Sequence, residues 1–199
     1  MMHYAIFNTA WGVFGFIEQD KRLLATILPG AQQAIKQTIL ASWPGAIEAS
    51  DSLPRFRQAV VDYFDGKRIR FSIEIDLSRL PPFHQMVLEV CRRIPYGQTA
   101  SYADLARAVG HPNAARAVGG AMARNPLPLV VPCHRVLRAD GSIGGFSSAD
   151  GVDEKARLLR LENVEVDRHR KKAAVGVATG PTMRHVQGVS GKRRPAVAV

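Results

Sequence analysis

At Pro81-Pro82 the hydrophobic pattern of this chain turns from strand alternation to helical spacing, and a chain that carries both periods folds neither as helices alone nor as strands alone. Before the boundary, Ile69, Phe71, Ile73, Ile75 and Leu77 alternate with Arg70, Ser72, Glu74 and Asp76. Strict period two predicts a half-buried strand. After it, Phe83, Met86, Val87, Val90, Cys91 and Ile94 recur at helical spacing and predict one apolar stripe. Tyr4–Phe7, Trp11–Ile17 and Leu23–Leu28 are aromatic or β-branched runs that read as a hairpin or meander over 3–28, turning at 18–21. Helices are predicted over 31–42 and about 54–65. In the second half, Ser101 opens a helix with Asp104 as capping-box partner, Gly110-His111-Pro112 stops it, and Asn113 is expected to cap a further helix over 114–124. Two short helices joined by a Gly-containing turn resemble a helix-turn-helix. The expected fold class is α+β: a small α/β N-terminal domain with an antiparallel sheet (1–80), then a mostly helical C-terminal domain (81–162).

The 199 residues are 46% hydrophobic and 22% charged, which excludes a collagen-like or wholly disordered chain. No run approaches the ~18 apolar residues of a membrane span, and Met1-Met2-His3-Tyr4 does not open a secretory signal. Two cysteines, Cys91 and Cys133, are too few for a disulfide scaffold and fit a reducing compartment. The net charge is +10, and residues 163–199 hold eight Lys/Arg against two acids, Glu165 and Asp167. That tail lacks Leu, Ile, Phe, Trp and Tyr, so it is expected to be mostly disordered. A phosphate-neutralising arm and a dispensable extension both fit it.

Chemistry concentrates in 114–136. The predicted helix 114–124 is nearly all Ala and Gly, with Arg116 its one long side chain near the start. Small residues serve either close packing on a neighbouring helix or close approach of another surface, such as a nucleic-acid backbone. Prolines 126, 128 and 132 then stiffen a stretch, read as extended, that presents Cys133 directly before His134. An imidazole beside a thiol suits a nucleophile, because the thiolate is the reactive form. Neighbours on an extended strand point to opposite faces, so direct proton transfer needs a turn or a bridging water. On the dipeptide alone, a buried cysteine beside a structural histidine is the favoured reading.

Pro132-Cys133-His134-Arg135-Val136, preceded by Arg116–Met122, Asn125-Pro126 and Ile94–Tyr102, closely resembles the 6-O-alkylguanine-DNA alkyltransferases, over about 81–162 and more diffusely over 1–80. The resemblance implies a ribonuclease-H-like N-terminal domain and direct-reversal repair. The alkyl group of 6-O-methylguanine in duplex DNA would pass irreversibly to Cys133, once per molecule, after nucleotide flipping. His134 would act as base through a water, Glu162 would orient it, and Tyr102 would protonate the departing guanine. Arg116 would fill the vacated stack, with Ser101, Met122 and Arg135 also at the DNA. Asn125 would organise the active-site turn. The carbonyls of Cys133 and Val136 would accept from the guanine amino group, and Phe146 and Ser147 would line the pocket.

One segment departs from the family pattern. Gly145-Phe146-Ser147-Ser148-Ala149 stands where Gly-Tyr-x-Gly-Gly is usual, which bears on bulky alkyl groups more than on methyl. No cysteine precedes Cys91, so no N-terminal zinc site, and no cofactor, is expected. Cys91 itself reads as a small core residue, and helix 152–161 as a cover for the pocket. The expected partner is double-stranded DNA carrying 6-O-alkylguanine. The expected state is a monomer, cytoplasmic (nucleoid-associated if bacterial, nuclear if eukaryotic). Two rival readings are a non-catalytic lesion-binding protein and a helix-turn-helix transcription factor. The second needs base-reading side chains that the Ala/Gly helix does not offer.

Overall fold

The computed structural model describes residues 1–148 and 151–165. The expectation for the tail 163–199 therefore lies, beyond Glu165, outside the described residues. Strands β1 (Met2–Thr9), β2 (Gly12–Gln19) and β3 (Arg22–Gly30) form the expected meander. A two-residue β4 (Ile47–Glu48) joins the other edge in parallel, giving the order β3-β2-β1-β4. Helix α1 (Gln32–Ser42) packs Ile35 and Ile39 on one sheet face, against Tyr4, Ile17, Leu24 and Ala25. Gly15 allows this close approach, since a Cβ there would lie 2.7 Å from the Ile35 side chain.

The other face carries Ala5, Phe14, Phe16 and Leu23, covered by α2 (Pro54–Phe64) through Phe56, Val60 and Phe64. This core continues across Pro81-Pro82 into α3 (Pro82–Arg92), α4 (Tyr102–Ala108) and α5 (Ala115–Ala123), through Val87, Leu88, Leu105 and Val118. Cys91 is fully buried within it. Helix α6 (Gly151–Leu161) closes the fold, and Arg157 stacks its guanidinium 3.7 Å above the Trp11 ring. No helix among the described residues is long and apolar enough to cross a membrane.

Three local expectations are corrected. Residues 69–77 keep their alternating burial but form no strand; only Ile75 bridges Leu23. The edge of β3 beyond Leu23 is taken, because Thr26 donates its N–H to the Pro126 carbonyl and its hydroxyl to the Pro128 carbonyl. Asn113 does not cap α5; the Ala114 N–H instead donates to the His111 carbonyl in a backbone turn. Met86 lies outside the buried stripe, and Leu88 takes the core position. The Ser101–Asp104 capping box is present in both directions.

Candidate active site

Cys133 does not lie in an extended stretch. Cys133–Arg135 form a single 3-10 turn, and this is what lets adjacent residues serve one site. The prolines set the entry, and Leu129 turns the chain at φ 78°, a strained value for a non-glycine residue. Two clamps hold that strain. Thr26 bonds the Pro126 and Pro128 carbonyls, and the Val131 N–H donates to the Leu127 carbonyl at 2.8 Å.

Asn125 staples the loop. Its Oδ1 accepts from the Leu127 N–H at 3.0 Å, and its Nδ2 donates to the Val131 carbonyl at 2.9 Å and to Cys133 Sγ at 3.1 Å. Burial pushes the Cys133 thiol above its ordinary range, and the Asn125 hydrogen bond and the Lys155 charge offset that only in part. The sulfur is nearly enclosed, with 7% of the residue exposed.

Behind the cysteine, Glu162 gathers five donors. Oε1 accepts from Tyr63 Oη (2.6 Å), His134 Nε2 (2.8 Å) and Arg135 Nη2 (2.8 Å). Oε2 accepts from Arg135 Nε (2.8 Å) and the Gly97 N–H (3.1 Å). Burial pushes the Glu162 carboxyl up, but His134 and Arg135 outweigh it and hold it well below the usual carboxylate range. An ionised carboxylate only accepts, so the imidazole proton sits on Nε2. Among the described residues, the buried His134 Nδ1 has no hydrogen-bond partner, which leaves its lone pair free. Burial lowers the His134 pKa against the pull of Glu162, keeping the ring neutral and able to take a proton.

The parallel pair β5 (Ala100–Ser101) and β6 (Val136–Leu137) sets Tyr102 beside the cysteine turn. Tyr102, Arg116, Arg138, Gly144 and Gly145 line one cavity of about 370 Å³. Gly144 is needed there, because a Cβ would lie 2.5 Å from Tyr102 Oη. A larger cavity, about 970 Å³, lies between residues 68–74 and the end of α3; Cys133 lines neither of the two. Of the glycines in α5, Gly119 meets nothing where a Cβ would sit, and Gly120 only the end of Arg124. Internal packing therefore does not require them, and the helix presents a bare outer face with Arg116 exposed beside it.

The remaining predicted residues separate. Phe146 packs partly against the core and Ser147 is exposed. The Val136 carbonyl accepts from Lys155 at 2.5 Å, and the Cys133 carbonyl from the Val136 N–H. Ser101 is spent on its capping box. Met122 points inward, 6% exposed, and does not offer an outer apolar contact. Arg135 is corrected outright as a DNA contact. It is buried, and its donors go to Glu162 and to the Ile94 carbonyl at 2.6 Å.

Four residues escaped the sequence reading. Tyr63 and Thr26 reach the site from 99 and 102 positions away, with no local signal. Gly144 looked like any loop glycine. Lys155 did carry a signal: it shares the buried face of α6 with Ala156, Leu158 and Leu159.

A family profile described as the DNA-binding domain of 6-O-methylguanine DNA methyltransferase matches residues 82–164. The constitutive methylated-DNA–protein-cysteine methyltransferase of Bacillus subtilis is 34% identical over 82% of this chain and 97% of its own. That of Mycobacterium leprae is 40% identical over 67% of this chain and 79% of its own. The crystal structure of Mycobacterium tuberculosis OGT in complex with DNA superposes with a TM-score of 0.70 at 30% identity, over 86% of this chain and 96% of that one.

Proposed function

This chain belongs to the methylated-DNA–protein-cysteine methyltransferase family, and from that premise we infer how its own residues carry out the transfer. It is a direct-reversal DNA repair protein that moves the methyl group of 6-O-methylguanine onto its own cysteine, with DNA as its partner. Cys133 is the acceptor. Its proton leaves through a bridging water to the free Nδ1 of His134, while Glu162 holds the ring by Nε2. The thiolate attacks the methyl carbon in line. The S–C bond forms, the C–O bond breaks, and the electron pair goes to the guanine oxygen. Tyr102, in the cavity with Arg116, supplies a proton to the leaving base. The thioether has no route back to thiolate, so each molecule acts once and needs no cofactor.

For the target to reach an enclosed sulfur, its nucleotide must leave the stack. The bare outer face of α5 suits close approach of a duplex, and Arg116 beside it suits filling the gap. The protein acts as a monomer on 6-O-alkylguanine in double-stranded DNA, in the compartment that holds the DNA. The C-terminal part from residue 81 carries the acceptor and the DNA surface, and the N-terminal part braces it.

The observation that carries this reading is the single 3-10 turn that unites a sulfur bonded to Asn125 with an imidazole whose Nδ1 is free and whose Nε2 is held. The test is mass spectrometry after incubation with a methylated oligonucleotide. A gain of about 14 Da, one methyl for one hydrogen, is expected on Cys133 and absent in Cys133→Ala. A gain on Cys91 instead would refute the assignment. The lesion-binding and transcription-factor readings are not favoured, because curated relatives that this chain covers almost end to end are methyltransferases.

A further inference from the structure

The larger cavity has no part in the transfer, and its walls are basic. It measures about 970 Å³, between residues 68–74 and the end of α3. Arg68, Arg70, Arg92 and Arg93 line it against two acids, Glu74 and Glu89. It shares no lining residue with the cavity of Tyr102 and Arg116. Part of this charge is already engaged. Arg92 donates to the Ile73 carbonyl, and Glu74 pairs with Arg22 at 3.7 Å. Arg135 also lines the cleft, but its donors go to Glu162 and the Ile94 carbonyl. Arg68, Arg70 and Arg93 are exposed, and among the described residues their side chains have no ion-pair or hydrogen-bond partner. Glu89 is the one acid left to face them. Folding gains nothing by gathering three like charges around one concave space, whose low-dielectric walls focus their field on an anion.

The alternation at 69–77 gives this charge a spacing. Ile69, Phe71 and Ile73 pack on the core, so Arg68 and Arg70 stand on the outer side of the chain. Two residues of extended chain span about 6.7 Å, close to the step between neighbouring phosphates of a drawn-out nucleic-acid strand. Arg93, the C-cap of α3, supplies a third cation from a different element. The half-buried Tyr96 lines the same cleft and offers a ring on which a base can stack. The volume admits a few nucleotides of one strand and not the width of a duplex. We propose that this cleft is a second nucleic-acid site, which holds a single strand by its phosphates on Arg68, Arg70 and Arg93. None of the three lies on α4 or α5, so a strand can occupy the cleft while a duplex lies on the outer face of α5. The site is independent of the chemistry at Cys133, because Cys133 does not line it.

The test uses the full chain and a short fluorescein-labelled oligothymidylate, followed by anisotropy over a salt series. Residues 166–199 carry eight Lys/Arg of their own, so the difference between parent and variant is read, not the total affinity. Arg68→Ala/Arg70→Ala is expected to weaken binding about tenfold and to flatten the plot of log affinity against log salt by about 1.4, two phosphates at ~0.7 each for a single strand. Arg93→Ala repeats the measurement on a different element, with about half the change in slope. Glu89→Gln removes the opposing acid and should tighten binding. Methyl uptake from a methylated duplex should stay at the parent level in Arg68→Ala/Arg70→Ala, which also shows that the variant is folded. Arg116→Ala should leave the oligothymidylate slope in place. An unchanged affinity and slope in both the double variant and Arg93→Ala overturns the proposal. An equal loss in Arg116→Ala also overturns it, because the strand would then lie on the α5 face. Displacement by poly-glutamate as effective as by unlabelled oligothymidylate would overturn it in favour of an acidic protein segment.

Discussion

Tyr63→Phe removes one oxygen from a fully buried residue and nothing else. The ring stays packed between Phe64, Phe71 and Tyr96, so no cavity opens. What disappears is the 2.6 Å bond to Glu162 Oε1, the same oxygen that holds His134. A hydrogen bond to a charged group contributes about 1.5–3 kcal/mol. Glu162 keeps the Gly97 and Arg135 donors, which places the expected loss at the lower end, about 1.5–2 kcal/mol. At about 2–4 °C per kcal/mol for a chain of this size, the melting temperature should fall by about 3–8 °C. With one donor fewer, Oε1 presents more negative charge to the imidazole and raises the His134 pKa, so the acid limb of the methyl-transfer pH profile moves to higher pH. Thermal melts of Tyr63→Phe, Glu162→Gln and the double variant close a cycle with an expected coupling of about 1–2 kcal/mol. A variant that melts within about 1 °C of the parent, combined with additive effects in the cycle, would refute the claim that the N-terminal half braces the relay.

Other outcomes follow from the same geometry. Gly144→Ala places a Cβ 2.5 Å from Tyr102 Oη and displaces the ring, so single-turnover methyl transfer should fall about 10- to 100-fold, less than the ~100- to 10,000-fold of a lost general acid because the hydroxyl is shifted and not removed, with a smaller change in melting. Arg135→Met leaves Glu162 buried without its cation and should cost about 3–5 kcal/mol, measured by urea unfolding. Its affinity for undamaged duplex should stay unchanged, whereas Arg116→Ala should weaken that affinity and flatten its salt dependence. Acid should unfold the protein in two stages. The unfolded chain binds a proton at His134 below about pH 6.5, where the folded chain, its pKa lowered, does not. Below about pH 4.5 the same holds for Glu162, whose folded pKa is depressed. In both windows the unfolded state binds more protons, so stability falls as pH falls. Circular-dichroism melts carried from pH 8 into the strongly acidic range, below the second window, check this, and a flat profile would contradict it.

The junction at Pro81-Pro82 divides the pattern of the sequence but not the core. Side chains from both sides of it share one cluster, and two contacts cross it at the site: Thr26 to the Asn125–Pro128 turn and Tyr63 to Glu162. The strained Leu129 conformation and the five-donor carboxylate persist because these contacts over-determine them. An isolated C-terminal half would keep the cysteine and the histidine and lose part of what positions them.

What the linear chain settles by itself is local. Period two and period 3.6 announce the meander and the helices, and the Ser101–Asp104 pair announces a cap; each depends on neighbours within one turn or one strand. Pro-Cys-His-Arg with its upstream motifs carries the family resemblance, and it is the resemblance that points to Cys133. The alternation at 69–77 shows the limit: it prescribes which side chains are buried, but whether a ladder forms depends on whether an edge is free, and Pro126–Pro128 had occupied it. The tertiary structure alone decides the rest. It bends Cys133-His134 into one turn, withdraws Arg135 and Met122 from the surface, and brings Tyr63 and Lys155 to the site. The reason is physical. Burial of a charge or a hydroxyl costs energy that only a partner offsets, and partners tens of residues apart are chosen by packing, which no local pattern encodes.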